Sequence, residues 1–146
     1  MAYTIKKVEV WVADVRNQPG TLARVLEALS RAGADLEFLI ARQVTENTSR
    51  VFVAPLKGKK QKQAAGETGL VPAVGMHSIR IEGPNRAGLG ADVSRSVAAA
   101  GINIRGASAA AIGRKSVLYL AFKTPNEATA AAKVIRKLLS GKQRRC

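Results

Sequence analysis

The chain has 146 residues, of which 47% are hydrophobic and 23% charged, and its formal net charge is +14. This balance is typical of a soluble globular protein and leaves room for one ordinary domain or two small ones. No stretch approaches the roughly 18 consecutive apolar residues of a membrane helix, the N-terminal residues lack a signal-peptide apolar region, and the single cysteine, Cys146, excludes an intrachain disulfide. We therefore expect a cytoplasmic protein with no membrane partner.

The first half of the chain predicts a strand, a helix and two further strands. Alternating valines predict a strand over residues 5–14. Leucine and valine at helical spacing predict the helix, with Pro19 tolerated in its first turn and Gly33 at its end. Alternation resumes over residues 36–40 and again over 51–54, which gives the order βαββ.

The rest of the first half predicts weaker elements. Residues 61–70 predict a short or frayed helix, because Gly66 and Gly69 lie within it and each costs about 0.5–1 kcal/mol relative to alanine. Residues 70–74 are compatible with a brief fourth strand. Pro72 confines that strand to the edge of a sheet, because proline cannot donate a backbone hydrogen bond.

The second half repeats this order and adds a longer last helix. Thr124 and Glu127 form a capping box at the start of the last helix, and Gly141 is expected to end it. This unit is βαββα, because no residues remain for a fourth strand after Ser140. The predicted elements are strand 79–81, helix 89–100, strands 102–111 and 116–122, and the helix from residue 125.

The two halves form an internal repeat. Asn17-Gln18-Pro19-Gly20 and Asn85-Arg86-Ala87-Gly88 are separated by 68 residues, and the helix and strand after each turn follow at the same offset. Helices covering one face of each antiparallel sheet would give an α+β sandwich. The predicted core residues are Trp11, Val25, Leu29, Phe38, Phe52, Val97, Ile104, Leu120, Ile135 and Leu138.

The repeated unit resembles the ACT domain, a small ferredoxin-like module that binds amino acids and regulates metabolic enzymes or transcription. The residues that carry the resemblance are Asn17 to Leu22 before the first helix and Gly101-Ile102-Asn103-Ile104 after the second. The second turn departs from the pattern, with Ala87 where proline is usual. The resemblance implies two tandem ferredoxin-like units, βαββαβ and βαββα, with a first module at residues 1–74 and a second at 75–146.

The resemblance also implies where a ligand sits, because ACT modules usually hold it where two modules meet, on the first turn and the strand after the first helix. Backbone N–H groups at a helix start favour a carboxylate, and glycine lets the backbone approach the ligand closely. The candidate binding residues are Asn17, Gln18, Pro19, Gly20 and Thr21, with Asn85, Arg86, Ala87, Gly88 and Leu89 as the second site.

Several of these residues have an alternative interpretation. Asn17 and Asn85 are also suited to capping their helices. Arg86 is either a bidentate partner for a ligand carboxylate or a solvated surface cation. Asp14 and Glu82, at equivalent strand ends, would either meet a ligand ammonium or face solvent.

No catalytic, metal or cofactor site is predicted, because His77 is the only histidine. We expect a regulatory module that binds an amino acid or similar carboxylate and acts through a partner or as a homodimer. The alternative is a basic nucleic-acid-binding ferredoxin-like protein, but the aromatic residues do not form an RNA-binding pattern. The lysines over residues 57–62 and the tail over residues 142–145 predict weak, non-specific nucleic-acid binding at most.

Overall fold

The computed structural model describes residues 2–142, within which the chain forms eight strands and four helices. The strands are β1 (Thr4–Val8), β2 (Trp11–Arg16), β3 (Phe38–Gln43), β4 (Thr48–Ala54), β5 (Val71–Pro72), β6 (His77–Pro84), β7 (Gly106–Ile112) and β8 (Lys115–Phe122). The helices are α1 (Thr21–Arg31), α2 (Gly58–Glu67), α3 (Leu89–Ala99) and α4 (Pro125–Lys142). Arg144, Arg145 and Cys146 lie outside the described residues.

The strands form two four-stranded sheets in which every pair is antiparallel. One sheet has the order β3-β4-β2-β5 and the other the order β1-β6-β8-β7. The orders are the same if β1 is counted as the fourth strand of its sheet. The predicted α+β class with two ferredoxin-like units is therefore confirmed.

The N-terminal strand joins the sheet of the second half. Residues 5–14 were expected to form one strand, but β1 ends at Val8 and β2 begins at Trp11. β1 pairs with β6 from Thr4 opposite Glu82 to Val8 opposite Ser78, whereas β5 occupies the corresponding edge of β2. The second unit therefore has a fourth strand, which the sequence did not predict. β1 covers the open edge of β6, and β5 covers that of β2.

The pairing of β1 with β6 determines how the chain divides into compact units. One compact unit is Glu9–Ala73, and the other combines the segment ending at Val8 with the segment that begins at Val74. In this division the first eight residues belong with the segment that begins at Val74. Two contacts fix β1 there: the hydroxyl of Tyr3 donates to the carbonyl of Pro84 at 2.8 Å, and Arg136 donates to that of Ile5 at 3.0 Å.

Each unit has its own core between the sheet and its two helices. Six predicted core residues are buried, and Ile104 and Leu138 pack against the core while partly exposed. Phe38 and Phe52 are only half-buried, so that part of the prediction is wrong. Val51 and Val53 face the helices, and alternation places Phe52 on the opposite face. The buried six are Trp11, Val25, Leu29, Val97, Leu120 and Ile135.

The repeat holds in three dimensions with one adjustment. α1 and α3 have 11 residues each and begin 68 positions apart. Beyond the turn between β3 and β4 the offset between equivalent residues falls to 67, because Leu39 pairs with Val53 and the equivalent Ala107 pairs with Leu120. Between equivalent residues, the segment that joins β7 to β8 is one residue shorter than the segment that joins β3 to β4. Up to that turn, residues 68 apart are structurally equivalent.

Candidate functional site

The first candidate site is the loop between β2 and α1. Gly20 is the N-cap of α1 with φ 90°, a left-handed conformation that favours glycine. The N–H of Asn17 donates to the carbonyl of Asn47 at 2.9 Å, that of Thr21 to Gln18 at 3.4 Å, and that of Arg24 to Gly20 at 3.0 Å. These bonds fix the path of the chain into the helix. We call residues 17–21 loop one.

The loop between β6 and α3 repeats this arrangement, and we call residues 85–89 loop two. Its N-cap is Gly88 with φ 83°. The N–H of Asn85 donates to the carbonyl of Arg114 at 2.8 Å, that of Leu89 to Arg86 at 3.3 Å, and that of Asp92 to Gly88 at 2.9 Å. Each bond is the counterpart of one in loop one, so the repeated sequence encodes a repeated backbone geometry.

Both loops leave backbone donors available at the start of a helix. Among residues 2–142, no hydrogen bond is formed by the N–H groups of Gly20, Leu22 and Ala23, nor by their equivalents Gly88, Gly90 and Ala91. Such groups carry the positive end of the helix dipole. A small anion placed there would accept hydrogen bonds from the backbone whatever the side chains around it.

The two asparagines do not cap the helices. Neither N-cap has a side-chain capping bond. The amide of Asn17 instead donates to the carbonyl of Glu46 at 3.0 Å and accepts a hydrogen bond from the hydroxyl of Ser49 at 3.1 Å. Asn17 therefore ties loop one to the β3–β4 hairpin, and the capping interpretation is wrong. The side chain of Asn85 is exposed and makes no hydrogen bond to another described residue.

Arg86 is engaged within loop two. Its Nη2 lies 2.8 Å from Oδ2 of Asp92, and its Nη1 donates to the carbonyl of Ala87 at 3.3 Å. The two side chains of the ion pair retain 32% and 24% of their exposure, so the pair is partly withdrawn from solvent. Neither sequence interpretation of Arg86 anticipated this intramolecular partner.

The last residue of each loop is buried. Thr21 is 7% exposed and Leu89 is 3% exposed. Leu89 belongs to the core of its unit, but the hydroxyl of Thr21 is buried without a hydrogen-bond partner among the described residues. Buried polar groups are nearly always satisfied, so an unpaired hydroxyl beside a candidate site needs an explanation. The sequence indicates that this position is unusual, because it has threonine where the second copy has leucine.

The acids at the strand ends are paired with arginines. Asp14 accepts two hydrogen bonds from Arg50, at 2.6 and 3.0 Å, and Glu82 accepts one from Arg80 at 2.5 Å. The hydrogen bond from Arg50 holds the pKa of Asp14 below its ordinary value, and that from Arg80 does the same for the pKa of Glu82. Both carboxylates stay ionised at neutral pH, and the positive charge of an arginine already balances each of them.

A groove of about 390 Å³ lies on the helix side of the first unit, between α1 and β3. None of the predicted site residues lines it. Leu39, on its rim, is 43% exposed. The lining residues are Leu26, Leu29, Ser30, Ala34, Leu36, Glu37, Phe38 and Leu39.

Within residues 2–142, no group of three or more His, Cys, Asp or Glu side chains is placed to hold a metal ion. In the same part of the chain, no helix combines the length and apolar character needed to cross a membrane.

The fold is similar to several solved structures. Protein BT0572 from Bacteroides thetaiotaomicron superposes with a TM-score of 0.76 at 16% identity, over 88% of each chain. The ligand-free regulatory subunit of aspartate kinase from Thermus thermophilus gives 0.67 at 16% identity, over 94% of this chain and 97% of that one. The aspartokinase alpha and beta subunits give 0.66 at 17% identity, over 96% and 98%.

No family model matches the sequence, and no match was found among curated proteins. At identities below 20%, the structural neighbours show a shared fold. This chain shares that fold with the regulatory subunit of aspartate kinase from Thermus thermophilus.

Proposed function

We propose that this chain is a cytoplasmic regulatory module that binds an amino acid or a similar small carboxylate. It has no catalytic site of its own and acts through a partner or through self-assembly. The likeness to a regulatory subunit of aspartate kinase supports a regulatory role, because that neighbour covers nearly the whole of this chain.

The observation that carries the proposal is the duplicated loop. Gly20 and Gly88 start helices of equal length with nearly equal φ angles, and each leaves three backbone donors unpaired. The positive φ of both residues by itself favours glycine, and glycine also leaves the backbone uncovered by a side chain. A backbone kept free of side chains is expected where a ligand approaches it closely.

The first test is a thermal-shift screen against the twenty amino acids. A ligand present at 100 times its Kd adds about 2.7 kcal/mol to the free energy of unfolding. At least one amino acid is expected to raise the melting temperature. A flat response to all twenty would contradict the proposal.

Gly20→Ala and Gly88→Ala form a matched pair for locating the site. Both residues have positive φ, so each substitution strains the backbone by about 1–2 kcal/mol. A Cβ at Gly20 would meet no atom within 4 Å, and one at Gly88 only the Nη1 of Arg86 at 3.9 Å. Because the two variants share the same folding defect, a difference in their response to ligand reports binding. Equal and undiminished responses would place the site elsewhere.

Self-assembly as a homodimer is part of the proposal. Leu39, which lines the groove beside α1, is 43% exposed, and Leu22 in the same helix is 36% exposed. Exposed apolar residues around a groove are typical of surfaces that bind another protein. Light scattering is expected to give about twice the chain mass of 15.4 kDa. A monomer at tens of micromolar would contradict this part of the proposal.

Nucleic-acid binding is expected to be weak. Lys57, Lys59, Lys60 and Lys62 are exposed at the start of α2, where no acidic residue lies in the first turn. Such a patch attracts polyanions without reading a sequence, and its affinity falls steeply between roughly 50 and 200 mM salt. Sequence-specific binding that survives the higher salt concentration would favour the alternative, a nucleic-acid-binding protein.

A further inference from the structure

The two units differ in the charge that they carry. The first unit, residues 9–73, contains nine Lys or Arg residues and seven Asp or Glu residues. The described part of the second unit, residues 2–8 and 74–142, contains thirteen and three. Because both units have the same fold, the fold itself does not require the positive charge of the second.

The three acids of the second unit leave most of this charge unbalanced. Glu82 is paired with Arg80, and Asp92 is paired with Arg86. Glu127 lies in the first turn of α4, and its Oε1 is buried. Two carboxylates are therefore already paired, and the third is partly withdrawn from solvent.

Part of the excess charge is concentrated where β1 lies beside α4. The Nζ of Lys7 donates to the hydroxyl of Thr129 at 2.8 Å, and Nη2 of Arg136 donates to the carbonyl of Ile5 at 3.0 Å. Lys133 lies four residues after Thr129 and three before Arg136, so it shares their face of the helix. We call this surface the cationic edge, and its exposed members are Lys7, Lys133, Arg136 and Lys137.

The equivalent edge of the first unit lacks these cations. α2 and α4 begin 67 residues apart, which makes Gly66 the equivalent of Lys133. α2 has 10 residues and α4 has 18, so the first unit has no counterpart of the last turns of α4. Its edge strand, β5, has no charged side chain. The cations of the second unit are therefore an addition to the shared design.

β1 also has an open backbone edge. It lies at the end of its sheet and pairs with β6 alone. Among residues 2–142, residues 4–8 form no backbone–backbone hydrogen bond outside that pairing. The carbonyl of Ile5 accepts a bond from Arg136, but a carbonyl oxygen can accept a second one. Unpaired backbone groups along an edge strand are a template for a further strand.

The side chains of β1 determine which kind of strand fits this edge. Lys7 contacts α4 on the helix face of the sheet, and alternation places Lys6 on the opposite face. β1 contains no acidic residue. A second copy of β1 would bring like charges together, which disfavours pairing between two copies. An acidic strand would instead meet a lysine on either face.

From these observations we infer that the cationic edge binds an extended acidic segment of a partner protein, which adds to the sheet beside β1 and places carboxylates near Lys7, Lys133 and Arg136. The inference rests on the proposed function, in which the chain acts through a partner, and it names the chemistry of that partner. Nucleic acid fits this edge less well. No member of the cationic edge is aromatic, so bases have nothing to stack on, and an oligonucleotide cannot continue the hydrogen bonding of a sheet.

The test compares two variants that each lose two positive charges. One is Lys133→Gln with Lys137→Gln, and the matched control is Lys59→Gln with Lys60→Gln in α2. All four lysines are exposed and make no hydrogen bond or ion pair with a described residue, so both variants should fold. The probe is a short fluorescein-labelled peptide that alternates glutamate and threonine, and a glutamine–threonine peptide is the neutral reference. Fluorescence anisotropy gives the affinities.

The parent protein is expected to bind the acidic peptide and not the neutral one. The Lys133 and Lys137 variant should lose roughly fivefold or more in affinity, whereas the α2 control should lose less than about twofold. In the ¹⁵N-labelled parent protein, the acidic peptide should shift the backbone amides of residues 4–8. Those shifts distinguish an added strand from charge attraction alone.

Four results would overturn the inference. Equal losses in the two variants would show that only net charge matters, and unshifted amides in β1 would show that no strand is added. Equal binding of the neutral peptide would remove the role of charge. A larger loss for a single-stranded oligonucleotide, or for vesicles of phosphatidylcholine and phosphatidylglycerol, than for the acidic peptide would assign the surface to another polyanion. The thermal-shift screen does not involve these lysines, so an amino acid that binds a protein indifferent to the acidic peptide would leave the proposed ligand site in place and overturn this inference alone.

Discussion

Replacing Thr21 with valine should stabilise the unliganded protein. The side chain is 7% exposed at the first position of α1, and its hydroxyl has no partner among the described residues. Valine has nearly the same shape and a similar helix propensity, so the substitution changes polarity and little else. At most buried positions, altering a side chain lowers the free energy of unfolding.

The size of the gain follows from the missing hydrogen bond. A buried polar group without a partner costs about 1–3 kcal/mol, and burying a methyl group in its place contributes about 0.8 kcal/mol. Allowing for partial relaxation, the free energy of unfolding should rise by about 1–2 kcal/mol. For a unit of this size, each kcal/mol corresponds to about 4–8 °C in melting temperature.

Urea unfolding and calorimetry of Thr21→Val would measure this change. The matched control is Leu89→Thr, which places a hydroxyl in the equivalent position of a satisfied core and should destabilise by about 2–4 kcal/mol. A Thr21→Val variant less stable than the parent by 1 kcal/mol would refute the reasoning, because it would mean that the hydroxyl has a partner.

Three further changes test other parts of the account. Asn17→Ala should lower the free energy of unfolding in urea by about 0.5–1.5 kcal/mol, because it removes two hydrogen bonds to the β3–β4 hairpin, whereas Asn85→Ala should change it little; equal effects would contradict the assignment. Glu82→Gln should lower the melting temperature at neutral pH. That difference should vanish as the pH falls below about 4.5, because the pKa of Glu82 is depressed in the folded state and its stabilisation is lost on protonation; a constant difference would argue against the pair with Arg80. Replacing Ile5, which is 8% exposed in β1, with alanine should lower the free energy of unfolding by about 2–4 kcal/mol. A negligible loss would show that β1 is not part of the sheet that contains β6.

Most of the fold was predictable because local patterns encode it. Alternation gave the strands, glycines marked the ends of α1 and α3, and the repeat gave two units of one design. The pairing of β1 with the sheet of the second unit was not predictable, because the alternation of Val8, Val10 and Val12 continues across the break at residues 9 and 10. Which sheet edge a strand joins depends on what already covers that edge, and this is a tertiary property.

The site was predictable at the level of its backbone. The glycines and the helix starts lie where the repeated turn indicated. The side chains were harder to predict, because their partners are distant in the sequence: Asn17 bonds to Glu46 and Ser49, and Arg86 to a residue one turn into the helix. The difference between Thr21 and Leu89 was visible in the aligned copies. Its meaning required knowledge that both side chains are buried.

The proposed function requires a carboxylate ligand at the start of α1 or of α3. A titration of the ¹⁵N-labelled protein with the amino acid selected by the thermal-shift screen tests it most directly, since backbone amides report a hydrogen bond by their chemical shift. Saturable shifts are expected at Gly20, Leu22 and Ala23, or at their equivalents Gly88, Gly90 and Ala91. Saturable shifts confined to the groove lined by Leu26, Leu36 and Leu39, with both helix starts unaffected, would contradict the proposed function.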